Sequence, residues 1–443
     1  MSTSSIFPFL ISFLAMLIAS EAIVPPDKTF KYINQGNFGE YSTEYLADYR
    51  VLDIYTSPFT LCFYNTTPNA FILGLRMGVR RSESLMRWVW DANRGNPVRE
   101  NATLTFGSNG NLVLADVDGK VAWQTGTANK DVVGLNLLQN GNLVLYDKTG
   151  KFIWQSFDHP TDTLLVGQAI RARGPTKLVS RLSFTEPING PYSFVMEQRH
   201  WVMYYQPKNS QNPIIYYKSF EFGNGKGTLA NLVFYCEPEY GQNFAFELGF
   251  LFNMTNSPSS GTSILTRPKY NSTYSMLRVD MDGNLRIYTY DDNVDWGAWE
   301  VTYALFTSED YYGRESLCKL PKKCGSLGIC DDNQCVACPK PQGLLGWDRS
   351  CATPPLPPCQ AGANSVDFYK VDSGVEHYSS SYNEGNGPMK LIECRTKCSQ
   401  DCKCLGFFYR EESSKCLLVP ELGTLIKTSN SSHVGYIKKV RGG

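Results

Sequence analysis

The sequence predicts a mainly β protein made of several modules, and three observations lead to this fold class. A 31-residue internal repeat carries paired Asn-Gly turns, strand-like alternation continues to about residue 310, and 12 of the 14 cysteines fall between Cys318 and Cys416. At 443 residues and 42% hydrophobic, the chain is too long for one ordinary domain and too apolar to be disordered.

The N-terminal segment predicts export. Residues 6–19 are apolar apart from Pro8 and Ser12, and Ser20-Glu21-Ala22 resembles a cleavage site, which together indicate a signal peptide over residues 1–22. No Lys or Arg precedes the apolar run, so a membrane anchor is the alternative, but 14 residues are too short to span a bilayer. With a polar C-terminus as well, we expect secretion without a membrane anchor.

The internal repeat predicts stacked β-hairpins. Asn109–Leu114 matches Asn140–Leu145, and Trp123 matches Trp154. Each copy reads as a strand, an Asn-Gly turn, a second strand, another turn and a strand with a buried Trp. We expect the Asn-Gly pairs to supply the left-handed φ values that tight hairpins need.

A third, more distant copy spans Met276–Tyr288, with Asp-Gly in the turn and Trp296 after it. It predicts a second domain of similar architecture, so the region from about 165 to 310 should also be β. Strand-like segments between the copies are Ser193–Glu197, Trp201–Tyr205 and Ile214–Phe220.

The charge balance argues against one class of partner. Lys plus Arg equals Asp plus Glu at 42 each. With no excess of cations to neutralise phosphates, we expect no nucleic-acid partner.

Three motifs carry a resemblance to a known family. Val89–Pro97, the repeated Asn-Gly-Asn-Leu-Val-Leu and Trp154–Thr163 resemble the bulb-type (mannose-binding) lectin domain of plant S-locus glycoproteins. Asp282–Tyr288 resembles the second, S-locus-type domain, and the C-terminal part resembles a PAN/apple domain. The whole chain looks like a secreted, epidermis-specific plant glycoprotein. This implies tandem β-prism domains, the first with three four-stranded sheets around a pseudo-threefold axis and with tryptophans meeting in the middle.

The cysteines predict crosslinked modules after the prisms. Six of them within 34 residues suit an EGF-like knot, although Cys335-x2-Cys338 leaves half of a zinc site as an alternative. Further on, Met389–Ser399 reads as a helix with Leu391, Cys394 and Cys398 on one face, followed by a strand over Cys404–Tyr409. The pairing is not readable from spacing, and the disulfide candidates are Cys318, Cys324, Cys330, Cys335, Cys338, Cys351, Cys359, Cys394, Cys398, Cys402, Cys404 and Cys416. Cys62 and Cys236 either pair with each other or stay apart as buried thiols.

The predicted domains follow from these features. They are a signal peptide (1–22), a bulb-type lectin domain (23–164), a second lectin-like, S-locus-type β domain (165–310), an EGF-like segment (311–352), a Pro-rich linker (353–358) and a small α+β PAN/apple domain (359–443).

The family resemblance also implies where sugar would bind. The family's mannose pattern is Gln-x-Asp-x-Asn-x-Val-x-Tyr along one strand, so that alternate side chains face the same sugar. Here Leu138 replaces the Gln and Asn140 the Asp, while in the late copy Asp280 and Arg286 replace the Gln and the Val. We expect weakened binding, since charge-assisted hydrogen bonds are lost. The candidates are Asn140, Asn142, Val144, Tyr146, Asp282, Asn284 and Tyr288; the alternative is that they serve only hairpin turns and sheet packing.

No catalytic motif is present in the sequence, and the four histidines fall in loop-like contexts. Asp280 and Asp282 would share a strand face, which is weak support for a glycosidase. We therefore expect a non-enzymatic protein, without cofactor or metal, that binds mannose-type glycans or glycoproteins of the plant apoplast or cell wall. The alternative is a scaffold that has lost sugar binding and contacts a receptor ectodomain, a wall enzyme or itself through the PAN domain.

The sequence also predicts glycosylation at Asn-X-Ser/Thr motifs. The predicted sites are Asn65, Asn101, Asn253, Asn271 and Asn430.

Overall fold

The computed structural model describes residues 23–79, 85–225, 227–238, 244–253, 259–267, 274–294, 296–309, 313–356, 358 and 365–442. The predicted signal peptide, Asn271 and Cys359 lie outside the described residues. The fold is mainly β, as predicted: two prisms of three sheets each precede a disulfide-rich C-terminal unit. Within these ranges, no helix is long and apolar enough to cross a bilayer.

The first prism is made of eleven short strands. They are β1 (Phe30–Ile33), β2 (Asp48–Thr56), β3 (Phe59–Asn65), β4 (Phe71–Met77), β5 (Arg87–Asp91), β6 (Thr103–Phe106), β7 (Leu112–Ala115), β8 (Val121–Gln124), β9 (Gly134–Leu137), β10 (Leu143–Tyr146) and β11 (Phe152–Gln155). Three antiparallel sheets result, in the orders β1-β6-β7-β8, β2-β3-β4-β5 and β11-β10-β9. The third has three described strands where four were expected.

Three tryptophans meet where these sheets converge. Trp90, Trp123 and Trp154 come from β5, β8 and β11, each an edge strand of a different sheet. Their ring centroids lie 5.7–6.1 Å apart in edge-on contacts, an arrangement that aromatic rings favour. The predicted meeting of tryptophans is confirmed.

The repeated hairpins also form as predicted, but the Asn-Gly turns work differently. Gly110 and Gly141 take positive φ, at 78° and 84°, whereas Asn140 does not have positive φ. Asn140 instead accepts a hydrogen bond through Oδ1 from the backbone N–H of Asn142, at 3.1 Å. The prediction that both turn residues are left-handed was wrong, because a side-chain bond replaces the second left-handed residue.

The second prism has three four-stranded antiparallel sheets. Its strands are β12 (Thr163–Leu165), β13 (Ala169–Arg171), β14 (Lys177–Arg181), β15 (Asn189–Met196), β16 (Trp201–Tyr205), β17 (Ile214–Lys218), β18 (Thr228–Pro238), β19 (Phe244–Asn253), β20 (Ser259–Thr266), β21 (Ser275–Val279), β22 (Leu285–Tyr290) and β23 (Trp299–Ala304). The sheet orders are β12-β21-β22-β23, β13-β18-β19-β20 and β14-β15-β16-β17. The expected β architecture from 165 to 310 is present in the described residues.

One tryptophan of the late copy departs from expectation. Trp296 is 58% exposed, whereas the repeat predicted a buried Trp. Trp299, at the start of β23, packs on Tyr290 instead, with ring centroids 5.1 Å apart. The turn before β23 is longer than in the first prism, and the partly buried Trp lies three residues later.

The strand β12 joins the two prisms. It follows the last strand of the first prism, yet it pairs with β21 of the second, with Leu164 opposite Leu277. Leu165 belongs to the apolar core of the first prism and Leu164 to that of the second. The predicted boundary after residue 164 falls inside this strand.

A buried ionic network also crosses between the prisms. Arg278 of β21 is 2% exposed and donates to the Glu44 carboxylate at 2.7 Å and to Thr163 Oγ1 at 3.1 Å. Its guanidinium also contacts the carbonyl oxygen of Trp88. Arg87 donates to the same carboxylate at 2.6 Å. Burial opposes the charge of Arg278, but the attraction of Glu44 raises its pKa, so Arg278 stays ionised.

The C-terminal unit combines strands with one longer helix. The elements are β24 (Phe306–Thr307), β25 (Glu315–Ser316), β26 (Leu327–Asp331), β27 (Gln334–Lys340), β28 (Gly343–Gly346), β29 (Val366–Ser373), β30 (Val375–His377), α1 (Leu391–Gln400), β31 (Gly406–Arg410), β32 (Lys415–Val419), β33 (Gly423–Lys427) and β34 (His433–Val440). Short 3-10 helices along the chain are Pro26–Lys28, Glu44–Leu46, Ser156–Asp158, Phe222–Gly225 and Leu317–Lys319. Leu391 is 37% exposed, so the predicted three-residue helix face is reduced to the two buried cysteines.

The two predicted cysteine modules share a sheet. Its order is β28-β27-β26-β33-β30, and β26 and β33 pair in parallel. The other sheet, β29-β34-β31-β32, packs against α1. Residues on both sides of the Pro-rich linker therefore form one folded unit, while the names EGF-like and PAN stay predictions.

Disulfides hold this unit together. The described pairs are Cys318–Cys330, Cys324–Cys335, Cys338–Cys351, Cys394–Cys416 and Cys398–Cys404; Cys402 is disulfide-bonded as well. The zinc alternative was wrong, because Cys335 and Cys338 are both oxidised and offer no thiolate.

Cys62 in the first prism is a buried thiol. Burial raises its pKa to about 11, and it does not form a disulfide with Cys236.

Candidate carbohydrate-binding site

The predicted sugar residues of the second repeat lie in the β9–β10 turn and along β10. Asn140 is exposed in the turn, but Asn142 and Val144 are 3% and 1% exposed. Tyr146 is partly buried, and its hydroxyl lies so close to Gly134 that a Cβ at that glycine would meet it at 2.5 Å. In this arrangement, the Asn142 and Val144 side chains are buried.

The Asn142 side chain makes three hydrogen bonds inside the hairpin. Its Nδ2 donates to Gln155 Oε1 at 2.8 Å, and its Oδ1 accepts from the Phe157 N–H at 3.2 Å and from the Ser156 hydroxyl at 3.3 Å. These bonds tie the start of β10 to the end of β11. The amide that would hold a sugar hydroxyl therefore holds protein groups instead.

Asn142→Ala is expected to lower the free energy of unfolding by about 1–3 kcal/mol, because it leaves the Phe157 N–H without its buried acceptor. Urea unfolding followed by tryptophan fluorescence measures this loss. Gln139→Ala, in the exposed part of the same turn, is the matched control and should change stability by less than about 0.5 kcal/mol. Equal effects of the two substitutions would contradict a structural role for Asn142.

The same brace recurs in the other two copies. Asn111 Nδ2 donates to Gln124 Oε1 at 2.9 Å, and its Oδ1 accepts from the Thr127 N–H at 3.1 Å. Asn284 is 0% exposed, donates to the Phe306 carbonyl at 2.7 Å and accepts from the Phe306 N–H at 3.0 Å. In all three copies, this asparagine ties the turn before one strand to the segment that follows the next strand.

The other late-copy candidates form an ion cluster. The Arg286 guanidinium donates to Asp280 at 2.6 Å and to both carboxylate oxygens of Asp282, at 2.9 and 2.7 Å. The Tyr288 hydroxyl donates to Asp280 at 2.8 Å, and Arg87 lies 4.4 Å from the Tyr288 ring centroid. Burial raises the pKa of Asp280, although Arg286 opposes that shift. One arginine therefore binds both carboxylates that suggested a glycosidase.

The predicted glycosylation sites differ in accessibility. Asn101, Asn253 and Asn430 are exposed, whereas Asn65 is 6% exposed at the end of β3. A glycan needs room at the asparagine side chain, so burial makes Asn65 the least compatible of the four described sites. Glycosylation stays a prediction.

The lectin pattern did not draw attention to a cleft that lies beside these motifs. A cleft of about 1120 Å³ opens at the end of the first prism, where loops of the second prism approach it. We call it the Trp cleft; its lining includes Trp90, Trp123, Trp154, His159, Arg173 and Lys177. Gln124, Thr125, Thr161 and Asn189 add amide and hydroxyl groups to the walls.

The aromatic residues of the cleft are not equally available. The Trp90 indole N–H donates to the His159 carbonyl at 2.8 Å, and the His159 ring stacks on Trp154 with centroids 5.4 Å apart. Desolvation lowers the pKa of His159, so its ring is neutral at neutral pH. Trp123 is only partly buried, and its indole is the aromatic group best placed to meet a ligand.

Buried ion pairs make the base of the cleft rigid. Arg94 binds Asp91 through two nitrogens, at 2.8 and 2.7 Å, and reaches Asp162 at 2.9 Å. The Arg94 and Asp162 side chains are only 9% and 6% exposed. Charge-assisted hydrogen bonds of this kind restrain the side chains that they join.

A signal for this cleft was present in the sequence. Arg171-Ala-Arg173-Gly-Pro-Thr-Lys177 carries three cations and no acid in a chain of zero net charge. The lectin pattern drew attention to the hairpins instead, and the three tryptophans were assigned to a core. The tryptophans form the floor of a cleft only because loops of the second prism lie beside them, and this arrangement is visible only in the structure.

Comparison with known proteins places the chain in a family. The model of the D-mannose binding lectin family matches residues 87–183, from β5 through β14. EP1-like glycoprotein 2 of Arabidopsis thaliana is 47% identical over 96% of this chain and 98% of its own length. The chain belongs to the EP1-like glycoprotein family. The epidermis-specific secreted glycoprotein EP1 of Daucus carota is 54% identical over 83% of this chain and 97% of its own length.

Membership of the EP1-like family confirms the predicted resemblance and makes the chain an extracellular protein with a lectin domain. The putative receptor protein kinase ZmPK1 of Zea mays is more distant, at 28% identity over 94% of this chain and 48% of that protein. The solved two-domain fetuin-binding lectin of Scilla campanulata is 16% identical, covers 58% of this chain and gives a TM-score of 0.17.

Proposed function

We propose that this protein is a non-enzymatic glycan-binding protein of the plant cell wall that holds sugar in the Trp cleft and not on the hairpin strands. The observation that carries the proposal is the cleft itself: about 1120 Å³ of open space with an indole at its floor and amide and hydroxyl groups on its walls. Such a combination of a flat apolar surface and a few polar groups suits a sugar ring.

The hairpin strands support this choice by contrast. The side-chain amides of Asn142 and Asn284 form hydrogen bonds with other groups of the protein. Freeing either amide for a sugar would leave buried backbone groups unsatisfied, at about 1–3 kcal/mol each. Trp123 requires no such rearrangement, because its indole already borders open space.

Trp123→Ala is expected to weaken glycan binding by at least about tenfold, because it removes the indole on which the sugar ring packs. Full-length glycosylated protein is screened on an array of mannose-containing and wall oligosaccharides, and hits are titrated by calorimetry. Trp123→Phe keeps an aromatic ring and should fall between the wild type and Trp123→Ala.

Tyr146→Ala on β10 is the matched control, and it should leave the affinity within about twofold of wild type. A loss of binding through Tyr146→Ala with Trp123→Ala unaffected would return the site to the hairpin strand. No binding to any glycan would remove the proposal altogether. Release of reducing sugar that disappears in Asp282→Asn would indicate a glycoside hydrolase.

A second function is favoured by one observation in the C-terminal unit. Val336, Leu344 and Leu345 are 44–58% exposed on β27 and β28, at one edge of the shared sheet. An exposed apolar sheet edge suits contact with another protein. If Val336→Asp combined with Leu345→Asp abolishes wall association while Trp123→Ala leaves it unchanged, the protein acts as a scaffold.

A further inference from the structure

The cations of the Trp cleft fall into two groups. Arg94 is paired with two carboxylates, Asp91 and Asp162, and Arg171 pairs with Asp158. Arg173 and Lys177 are exposed, and neither has an acidic partner among the residues that the structure describes. The cleft lining therefore has four basic and two acidic side chains, with the excess positive charge on Arg173 and Lys177.

The loop that carries these two cations is held toward the cleft. The Arg171 N–H donates to the Pro175 carbonyl at 2.8 Å, which closes the loop between β13 and β14. Gly174 within it takes a φ of 151°. Lys177 begins β14, so its backbone is fixed by pairing with Val195 of β15. Both side chains thus start from an ordered backbone, which limits the entropy lost when a ligand binds.

We propose that the Trp cleft selects acidic oligosaccharides, with uronate carboxylates on Arg173 and Lys177 and an adjoining sugar ring on Trp123. This inference rests on the proposed function and names the ligand class of the same site. Arginine and lysine both form charge-assisted hydrogen bonds to carboxylates, which are stronger than bonds between neutral groups. A neutral glycan would leave the excess charge of the cleft uncompensated.

A second cavity extends the region available to an oligomer. It has a volume of about 820 Å³ and shares Thr176 with the Trp cleft. Glu197, Arg199 and Glu221 line it, and Arg199 pairs with Glu221 at 3.1 Å. This cavity has no excess cation, so we expect the carboxylate contacts to lie in the Trp cleft and neutral parts of the chain to lie beyond Thr176.

The test compares an oligogalacturonate with its fully methyl-esterified counterpart, since the two differ in charge and share one sugar backbone. Full-length protein is titrated with each by calorimetry. The acid should bind at least about tenfold more tightly than the ester. Rising salt concentration should weaken binding of the acid but not binding of the ester. Arg173→Gln combined with Lys177→Gln should remove this preference.

Lys370→Gln combined with Lys403→Gln removes the same charge from exposed positions of the C-terminal unit and is the matched control. Near-UV circular dichroism checks that both double variants are folded. Equal binding of acid and ester, unaffected by Arg173→Gln/Lys177→Gln but lost in Trp123→Ala, would overturn the acidic preference and leave the proposed function standing. Binding of neither these ligands nor any array glycan would overturn both.

Discussion

Arg278→Met is expected to lower the free energy of unfolding by about 3–5 kcal/mol, the range for removing one partner of a buried ion pair. Methionine keeps most of the side-chain volume but makes none of the bonds to Glu44, Thr163 and the Trp88 carbonyl. Glu44 would keep Arg87 as its partner, which limits the loss to this range. These bonds cross between the prisms. Without them, we expect the two prisms to unfold in two separate steps and not in one cooperative step.

Urea unfolding followed by tryptophan fluorescence measures both the loss and the number of steps. Arg99→Met is the matched control, because Arg99 pairs with Asp116 and Asp118 on the surface with its side chain 47% exposed. Its effect should stay below about 1 kcal/mol. Arg278→Lys, which keeps the charge but not every bond, should be intermediate. An Arg278→Met effect as small as that of Arg99→Met would contradict the role given to the network.

Acid is expected to destabilise the C-terminal unit through His377. This residue lies fully buried in β30, not in a loop as predicted, and His433 likewise begins β34. The His377 Nε2–H donates to the Glu421 carbonyl at 3.0 Å, and Nδ1 accepts from the Ser379 hydroxyl at 2.7 Å. Burial, aided by the charge of Lys322, lowers the pKa of His377 to about 3.

The direction of the pH effect follows from this pKa. The unfolded chain takes up a proton on His377 near its ordinary pKa of about 6.5 and the folded chain does not, so stability is complete above about pH 6.5 and falls as the pH drops toward 3. At about 1.4 kcal/mol per pKa unit, the loss reaches roughly 5 kcal/mol at the acid end. Chemical denaturation at a series of pH values measures it.

His377→Gln should flatten this pH dependence, at some loss of stability at neutral pH. His200→Gln in the second prism is the matched control and should leave the slope unchanged. An acid-induced loss of the same size in wild type and His377→Gln would assign the effect to other groups.

Much of the fold was readable because its signals are local. The 31-residue repeat placed β6 through β11, since hairpin turns and alternating side chains lie within a few residues of each other. The parallel pairing of β26 with β33 was not readable. It joins Leu327 to Gly423, and no short-range pattern records which distant strands will meet.

The candidate site was less predictable for a related reason. Alternation predicts that Asn142, Val144 and Tyr146 point to the same side of the hairpin, but a period of two says nothing about what covers that side, and Asn142 and Val144 are buried. The Trp cleft needs Trp123 from one prism and Arg173 from the other. Such a site depends on how two domains approach each other, which the spacing of residues along the chain does not encode.

The three residues of β12 have a practical consequence for anyone cutting this chain into pieces. A recombinant fragment that stopped at residue 164 would split the strand, so the first prism would lack Leu165 in its core and the second would lack an edge beside β21. A gene rearrangement that transferred one prism without the other would cause the same loss of core and edge-strand contacts. The two prisms are therefore best expressed, crystallised and compared across species as an indivisible pair.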